Sequence, residues 1–170
     1  MIFYICSGEK QSYRPESQHM AYFSGEYECT VDVKGRIILP SRIKARLPEG
    51  YTDEIFLLRS TDPCLLIYPI PEWEKMAEKI TGLNEFDEST AIIQRNFLRG
   101  GAECELDSSG RFLVSKRMLD YAGITKDVIL VGLGNRLEMW EPSRYDKHLI
   151  TDQKELAGLL KKHLGSKTEV

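Results

Sequence analysis

Residues 28–36, Glu-Cys-Thr-Val-Asp-Val-Lys-Gly-Arg, return 75 positions later as Glu-Cys-Glu-Leu-Asp-Ser-Ser-Gly-Arg at residues 103–111. When residues 25–47 are aligned with residues 100–122, seven of the 23 positions are identical. The identical pairs are Gly25 and Gly100, Glu28 and Glu103, Cys29 and Cys104, Asp32 and Asp107, Gly35 and Gly110, Arg36 and Arg111, and Arg42 and Arg117. This match indicates an internal duplication, in which two units of the same kind follow each other.

Each copy predicts a tight hairpin turn. Asp is favoured at the first position of a type I turn because its carboxylate accepts hydrogen bonds from backbone N–H groups ahead of it. Gly at the fourth position takes up the left-handed conformation, which strains other residues. We therefore predict two type I turns, each with a bulged Gly. Their structural residues are Asp32, Gly35, Asp107 and Gly110.

The same order of elements is predicted in both halves: strand, turn, strand, short helix and a second hairpin. In the first half the strands cover residues 27–31 and 36–39, and a helix runs from Pro40 to Pro48. In the second half Ser115 is the expected N-cap and Gly123 ends the helix. The fold class is therefore α+β and mainly β.

Amphipathic helices are predicted to connect and follow the repeats. Pro71 begins one helix and Gly82 ends it, and Asn84, with Asp87 three residues on, begins another. A weaker helix is expected at residues 143–149, followed by a stripe of leucines that is more typical of a subunit contact than of membrane binding. We divide the chain into a leader (1–24), a first repeat (26–71), linking helices (72–101), a second repeat (102–145) and a helical tail (146–170).

Composition narrows the class of protein. The chain has 170 residues, 42% of them hydrophobic, a formal net charge of −3 and a pI of about 5.7. These values exclude a protein that covers nucleic acid with a uniformly basic surface, but they allow a local basic patch. The sequence has neither a secretory signal, a long apolar run nor a C-x-x-C pair, so we expect a cytoplasmic protein without a membrane partner. The leader is expected to be disordered or an extension, and the true start, Met1 or Met20, stays open.

Motifs that carry catalysis are missing from the sequence. It contains no His-Glu-x-x-His, no Walker A loop and no Gly-x-Ser-x-Gly. Cys29 and Cys104 occupy equivalent strand positions, where a buried thiol is expected more often than a nucleophile or metal ligand. An enzyme would have to use carboxylates such as Glu28 and Glu103, whose symmetry is better explained by common structure. The sequence therefore predicts no catalytic residue, metal, cofactor or small-molecule substrate.

Positive charge gathers at the turns instead. Five basic residues lie between Asp32 and Pro48, and three lie around the second turn. A single arginine of this kind is usually a solvated surface charge, but its repetition at equivalent positions favours a β-ribbon that sets arginines against phosphates or guanine edges. The candidate DNA-binding residues are Lys34, Arg36, Arg42, Arg111 and Arg117.

The paired Asp-x-x-x-Arg motifs at residues 32–36 and 107–111 resemble those of the MraZ family. So do the Lys-Gly-Arg of residues 34–36 leading to Pro40, the Pro-Cys-Leu-Leu-Ile-Tyr-Pro of residues 63–69 with Glu72 and Trp73, and the Val-Gly of residues 131–132. The resemblance covers roughly residues 20–148.

The resemblance implies two tandem AbrB-like swapped-hairpin modules that form a pseudo-two-fold barrel. It further implies a homo-oligomer, expected to be a ring, that binds double-stranded DNA with direct-repeat boxes at the bacterial division and cell-wall gene cluster. The expected role is that of a repressor associated with the nucleoid. The second repeat has Ser108 and Ser109 where the first has Val33 and Lys34, so the DNA role is clearer for the first turn. The alternative is a ring-forming scaffold that uses its basic turns for subunit contacts.

Overall fold

A computed structural model describes residues 22–165 of the chain. Most of the leader proposed for residues 1–24 therefore lies outside the described residues. Its last two residues do not belong to a leader, because strand β1 spans Phe23–Thr30 and contains both. The strand thus begins four residues earlier than the predicted Tyr27, where buried Phe23 anchors it to the core.

The two halves contain the same order of elements. The first half consists of β1 (Phe23–Thr30), β2 (Arg36–Ile38), α1 (Ser41–Lys44), β3 (Glu54–Arg59) and β4 (Leu65–Pro69). The second half consists of β5 (Ala102–Glu105), β6 (Arg111–Leu113), α4 (Lys116–Ala122), β7 (Asp127–Gly134) and β8 (Leu137–Trp140). Between them lie α2 (Ile70–Thr81) and α3 (Glu88–Leu98), and after them α5 (Pro142–Asp146) and α6 (Gln153–Leu164). The mixed, mainly antiparallel α+β class is confirmed.

The strands form a six-stranded sheet in the order β1-β7-β8-β4-β3-β5 and a two-stranded sheet of β2 and β6. Exchanging each strand for its counterpart in the other half gives the same order read backwards, so the topology has an internal two-fold relation. The outer strand of each half pairs with the other half, β1 with β7 and β5 with β3. The ladders of residues 22–165 do not close into a barrel, because β1 and β5 remain as edges.

The predicted hairpins are shorter than expected. Next to the first turn, Val31, the residue after β1, forms a single isolated bridge with Ile37 of β2. After that point β1 pairs with β7 and β2 pairs with β6, so the local pairing gives way to pairing between the halves.

One core joins both halves. Ile37 and Phe112 face each other across the β2–β6 ladder and are 0% and 1% exposed. Equivalent apolar positions in and after the two short helices are also buried, and these are Ile43, Leu47, Met118 and Ala122. Because the core draws on both halves, neither half buries its apolar residues alone.

The helix ends differ from the sequence prediction in several places. The α2 helix begins at Ile70, with Pro71 as its second residue. The prediction that Asn84 begins α3 is wrong, because the N-cap is Asp87, whose carboxylate accepts from the backbone N–H groups of Ser89 and Thr90. Both residues are good N-caps, and only the one next to the helical run is used. The α5 helix is likewise shorter than the predicted residues 143–149.

The helices outside the sheets differ in how they pack. Trp73 of α2 stacks on Phe56 with ring centroids 3.8 Å apart and lies 6.2 Å from the Phe97 ring of α3. By contrast, α6 has no buried residue, and its leucines are exposed. Within residues 22–165 no helix is long and apolar enough to cross a bilayer.

Candidate functional site

The two turns have the same backbone. The amide of Gly35 donates to the carbonyl of Asp32 at 2.9 Å, and the amide of Gly110 donates to that of Asp107 at 2.7 Å. The two glycines have φ values of 79° and 74°. These are the left-handed conformations expected of a bulged Gly, so the two turns share one backbone geometry.

A carboxylate holds each turn from inside. Asp32 Oδ1 accepts from the backbone N–H groups of Lys34 at 2.8 Å and Arg36 at 2.9 Å. Asp107 Oδ1 accepts from those of Ser109 and Arg111, both at 2.9 Å. The structural role predicted for the two aspartates therefore has a direct geometric basis.

The same carboxylates also hold the arginines. Arg36 Nε lies 2.8 Å and Arg36 Nη2 lies 2.7 Å from Asp32 Oδ2. Arg111 Nε lies 2.7 Å from Asp107 Oδ2. Side-chain exposures of 31% for Arg36 and 34% for Arg111 show that each arginine is partly open to solvent. The carboxylate of each turn thus orients the arginine of the same turn.

These contacts lower the pKa of both aspartates. Hydrogen bonds from the Arg36 backbone and side chain lower the pKa of Asp32 from 3.8 to about 2. The backbone N–H of Arg111 is the main cause of the lowered pKa of Asp107, with the Arg111 side chain adding to it. Both carboxylates are therefore ionised at neutral pH and remain paired with their arginines.

The β2–β6 ribbon places both arginines on one face. Arg36 lies opposite Leu113, and Ile38 lies opposite Arg111. Since side chains alternate along a strand, these four residues share the outer face while Ile37 and Phe112 point into the core. Ile38 and Leu113 are each 58% exposed. The two turn arginines therefore take diagonal positions on one ribbon face, which in antiparallel pairs are roughly 7–8 Å apart.

Hydrogen bonds between the halves fix this arrangement. The carbonyl of Gly35 accepts from Val114 N, and the carbonyl of Gly110 accepts from Leu39 N, both at 2.9 Å. A Cβ at position 35 would lie only 3.0 Å from the carbonyl oxygen of Val114. The first turn therefore needs glycine both for its φ and for the close approach of the other half.

The remaining candidates lie around the ribbon. Lys34 is exposed at the tip of the first turn. Arg42 on α1 and Arg117 on α4 are also exposed, at equivalent positions of the two short helices. In the described part of the chain none of these three side chains forms an ion pair, so their charges are available to a partner.

Two other basic residues have partners. Lys44 Nζ lies 2.8 Å from Asp53 Oδ1, and its Cδ lies 3.8 Å from a Cβ built on Gly110. The first half thus places a lysine beside the second turn, which has no basic residue in its middle. Sequence reasoning missed this proximity because it depends on pairing between the halves. Arg46 Nη1 donates to the Tyr22 carbonyl at 2.6 Å.

The cysteines and glutamates considered as nucleophiles, metal ligands or catalytic carboxylates do not come together in one site. Burial raises the pKa of the Cys29 thiol, that of Cys104 to about 11 and that of Cys64 to about 12. At neutral pH these thiols are protonated and poor nucleophiles. Glu28 and Glu103 lie on the two edge strands, with four strands between them. Among residues 22–165 no group of three or more His, Cys, Asp or Glu could hold a metal ion.

Comparison with known proteins also divides the chain into two similar segments, each with one Asp-Gly turn. Residues 22–96 and 97–158 each match the family model described as "MraZ protein, putative antitoxin-like", and each segment contains one turn. The chain belongs to the MraZ family. The resemblance expected from the two Asp-x-x-x-Arg motifs is thereby confirmed.

Relatives from the MraZ family align over most of the chain. A protein of Cytophaga hutchinsonii is 48% identical over 145 residues, which cover 85% of this chain and 96% of the relative. One from Halothermothrix orenii is 36% identical over 127 residues, which cover 75% and 86%. One from Acetivibrio thermocellus is 36% identical over 126 residues, which cover 74% and 85%. All three carry the name "Transcriptional regulator MraZ", which supports regulation of transcription as the function class and not an enzyme family.

Proposed function

We propose that this chain is a sequence-specific DNA-binding regulator of transcription, and that the outer face of the β2–β6 ribbon contacts the duplex. The observation that carries the proposal is that Arg36 and Arg111 lie on one exposed ribbon face and are each oriented by an aspartate. Arginine reads guanine through a fork of two donors, and antiparallel ribbons are known to enter DNA grooves. The aspartates bind one edge of each guanidinium, and among residues 22–165 the other edge has no hydrogen-bond or ion-pair partner that would prevent it from donating to DNA.

The neighbouring cations would supply contacts to phosphate. Lys34 extends from the first turn, and Arg42 and Arg117 flank the ribbon on equivalent helices. Phosphate contacts position a protein on DNA without reading sequence. We therefore assign base reading to Arg36 and Arg111 and backbone contacts to the other three residues.

The repeat modules fit this role. We propose that residues 26–71, extended to Phe23, and residues 102–145 are two AbrB-like modules that exchange hairpin strands. The pairing of β1 with β7 and of β5 with β3 supports that proposal. The division also leaves residues 72–101 as linking helices and residues 146–170 as a tail.

Assembly explains how an acidic chain could bind DNA tightly. We propose a homo-oligomeric ring in which several ribbons face successive direct-repeat boxes, so that weak contacts add up through multivalency. Exposed leucines on α6, with Ile92 on α3, are apolar surfaces that a second copy could cover. The regulator would act in the cytoplasm at the nucleoid, as a repressor at promoter boxes of the division and cell-wall gene cluster.

Binding to matched duplexes tests the proposal against the scaffold alternative. One duplex carries direct-repeat boxes from such a promoter, and the other has the same composition in scrambled order. A regulator binds the first more tightly at physiological salt. Equal, weak binding to both duplexes by an intact oligomer would favour a scaffold.

A further inference from the structure

A cleft on the side of α3 is separate from the ribbon that we assign to DNA. Its volume is about 590 Å³, which lies in the range of small-molecule sites. The loop after β3, the C-terminal end of α3 and residues of α4 and β8 contribute to its walls. The lining includes three arginines and three aromatic residues, which are Arg59, Arg99, Arg136, Tyr68, Phe97 and Tyr121.

Arg59 has an unusual environment in this cleft. Its Nε is buried and has no hydrogen-bond partner within residues 22–165. The guanidinium carbon lies 5.0 Å from the centre of the Tyr121 ring, a distance typical of a cation–π contact. A buried donor without a partner costs free energy, so the described residues leave the Arg59 guanidinium incompletely satisfied.

The other charged residues leave the cleft positive. Neither Arg99 nor Arg136 forms an ion pair among the described residues. Asp62 and Glu138 also line the cleft, but Glu138 Oε2 already accepts from the indole N–H of Trp140 at 2.8 Å. The lining therefore contains three guanidinium groups and two carboxylates, and one of these carboxylates already accepts a hydrogen bond from Trp140.

We propose that this cleft binds a small phosphorylated molecule that carries a planar ring, of the size of a nucleoside monophosphate. Phosphate oxygens would accept from Arg59, Arg99 and Arg136, since guanidinium groups match phosphate with paired donors. The ring would contact Phe97 and Tyr121, which are only partly buried, whereas Tyr68 is buried at 2% exposure. This inference does not depend on the proposed DNA contacts, because it involves other residues.

Calorimetric titration of the full chain tests the proposal with UMP, AMP, inorganic pyrophosphate and uridine. At least one nucleotide should bind more tightly than pyrophosphate, which has no ring, and uridine, which has no phosphate, should bind least. Arg59→Gln and Arg136→Gln should each weaken nucleotide binding about ten-fold or more, because each removes a charge-assisted contact. Arg95→Gln is the matched control, since Arg95 lies on α3 but does not line the cleft.

Several results would overturn the proposal. One is that neither nucleotide nor pyrophosphate binds at millimolar concentration, and another is that the arginine variants bind like the wild type. If Arg59→Gln fails to fold, the exposed Arg99→Gln gives the decisive titration. A smaller assembly in light scattering of Arg99→Gln would indicate that the cleft holds part of another copy.

Discussion

Arg36 Nε donates a hydrogen bond to Asp32 Oδ2 at 2.8 Å, and Arg36 Nη2 forms an ion pair with the same carboxylate oxygen at 2.7 Å. The partner carboxylate is itself held by two backbone N–H groups of the turn. The arginine is therefore oriented before any ligand arrives, which reduces the conformational entropy lost on binding. The equivalent pair of Arg111 and Asp107 gives the second half the same preorganised group.

This relationship changes what the loss of Asp32 means. If Asp32 only held the turn, Asp32→Ala would loosen the turn and weaken DNA binding only as a consequence. In the structure Asp32 also holds the Arg36 side chain in one orientation. Asp32→Asn is therefore expected to lower DNA affinity even where the protein remains fully folded. Melting curves and fluorescence anisotropy on the same sample separate the two effects. DNA affinity equal to that of the wild type in a folded Asp32→Asn variant would show that the orientation of Arg36 by Asp32 does not contribute to DNA binding.

Acid should destabilise the protein through the two turns. The folded-state pKa of Asp32 is about 2, below its ordinary value of 3.8, and that of Asp107 is also lowered. Stability from a lowered pKa is present above the unfolded value and is lost as the pH falls through the folded value. The wild type should therefore lose stability between about pH 4 and pH 2. An Asp32→Asn, Asp107→Asn double variant should be less stable at pH 7 but change less over that acid range.

Urea denaturation at closely spaced pH values gives the free energy of unfolding as a function of pH. Asp120→Asn is the control, since it leaves both turns intact. An acid dependence of the double variant as steep as that of the wild type would show that other groups dominate the acid response.

The two faces of the ribbon should respond differently to truncation. Phe112 is 1% exposed and packs in the shared core, whereas its neighbour Leu113 is 58% exposed. Phe112→Ala should lower the free energy of unfolding by about 3–5 kcal/mol, while Leu113→Ala should change it by only about 0.5 kcal/mol. Urea denaturation of both variants checks the register, since a slip of one residue would reverse the ranking.

Lys34 should act as a phosphate contact. Its exposed side chain at the tip of the turn has no ion-pair partner in the described residues, so Lys34→Gln should leave stability nearly unchanged. Binding should weaken on specific and scrambled duplexes alike, and the slope of log K against log salt should fall by about 1 for each engaged lysine. Lys79→Gln on α2 is the matched control. Loss of affinity for the specific duplex alone would contradict a backbone role.

The sequence was sufficient for features set by local chemistry. Asp32 and Gly35 determine a turn through their own hydrogen bonds and φ, and Ser115 and Gly123 delimit α4 as expected. Family membership followed from the same short motifs. These features depend on neighbours within a few residues, which is why pattern reasoning reached them.

Pairing between the halves could not be read from the sequence. The residues on either side of the turn suit a local hairpin and an exchanged strand equally well, and the choice depends on tertiary packing. For the same reason the position of Lys44 beside Gly110 was missed. The contact between Arg36 and Asp32, by contrast, could have been predicted from their i, i+4 spacing across a turn. Exposed ion pairs of this kind usually contribute little to stability, so their spacing is a weak signal.

The most direct test of the central claim is the affinity of an Arg36→Gln, Arg111→Gln double variant for a duplex with direct-repeat boxes. Each arginine that reads a base contributes about 1–3 kcal/mol, so each single variant should bind more weakly, and the double variant should lose discrimination between specific and scrambled duplexes. Arg95→Gln, outside the ribbon, should bind like the wild type, and light scattering should give the same assembly for all. Full, sequence-specific binding by a folded double variant would contradict the claim that the paired turns read DNA.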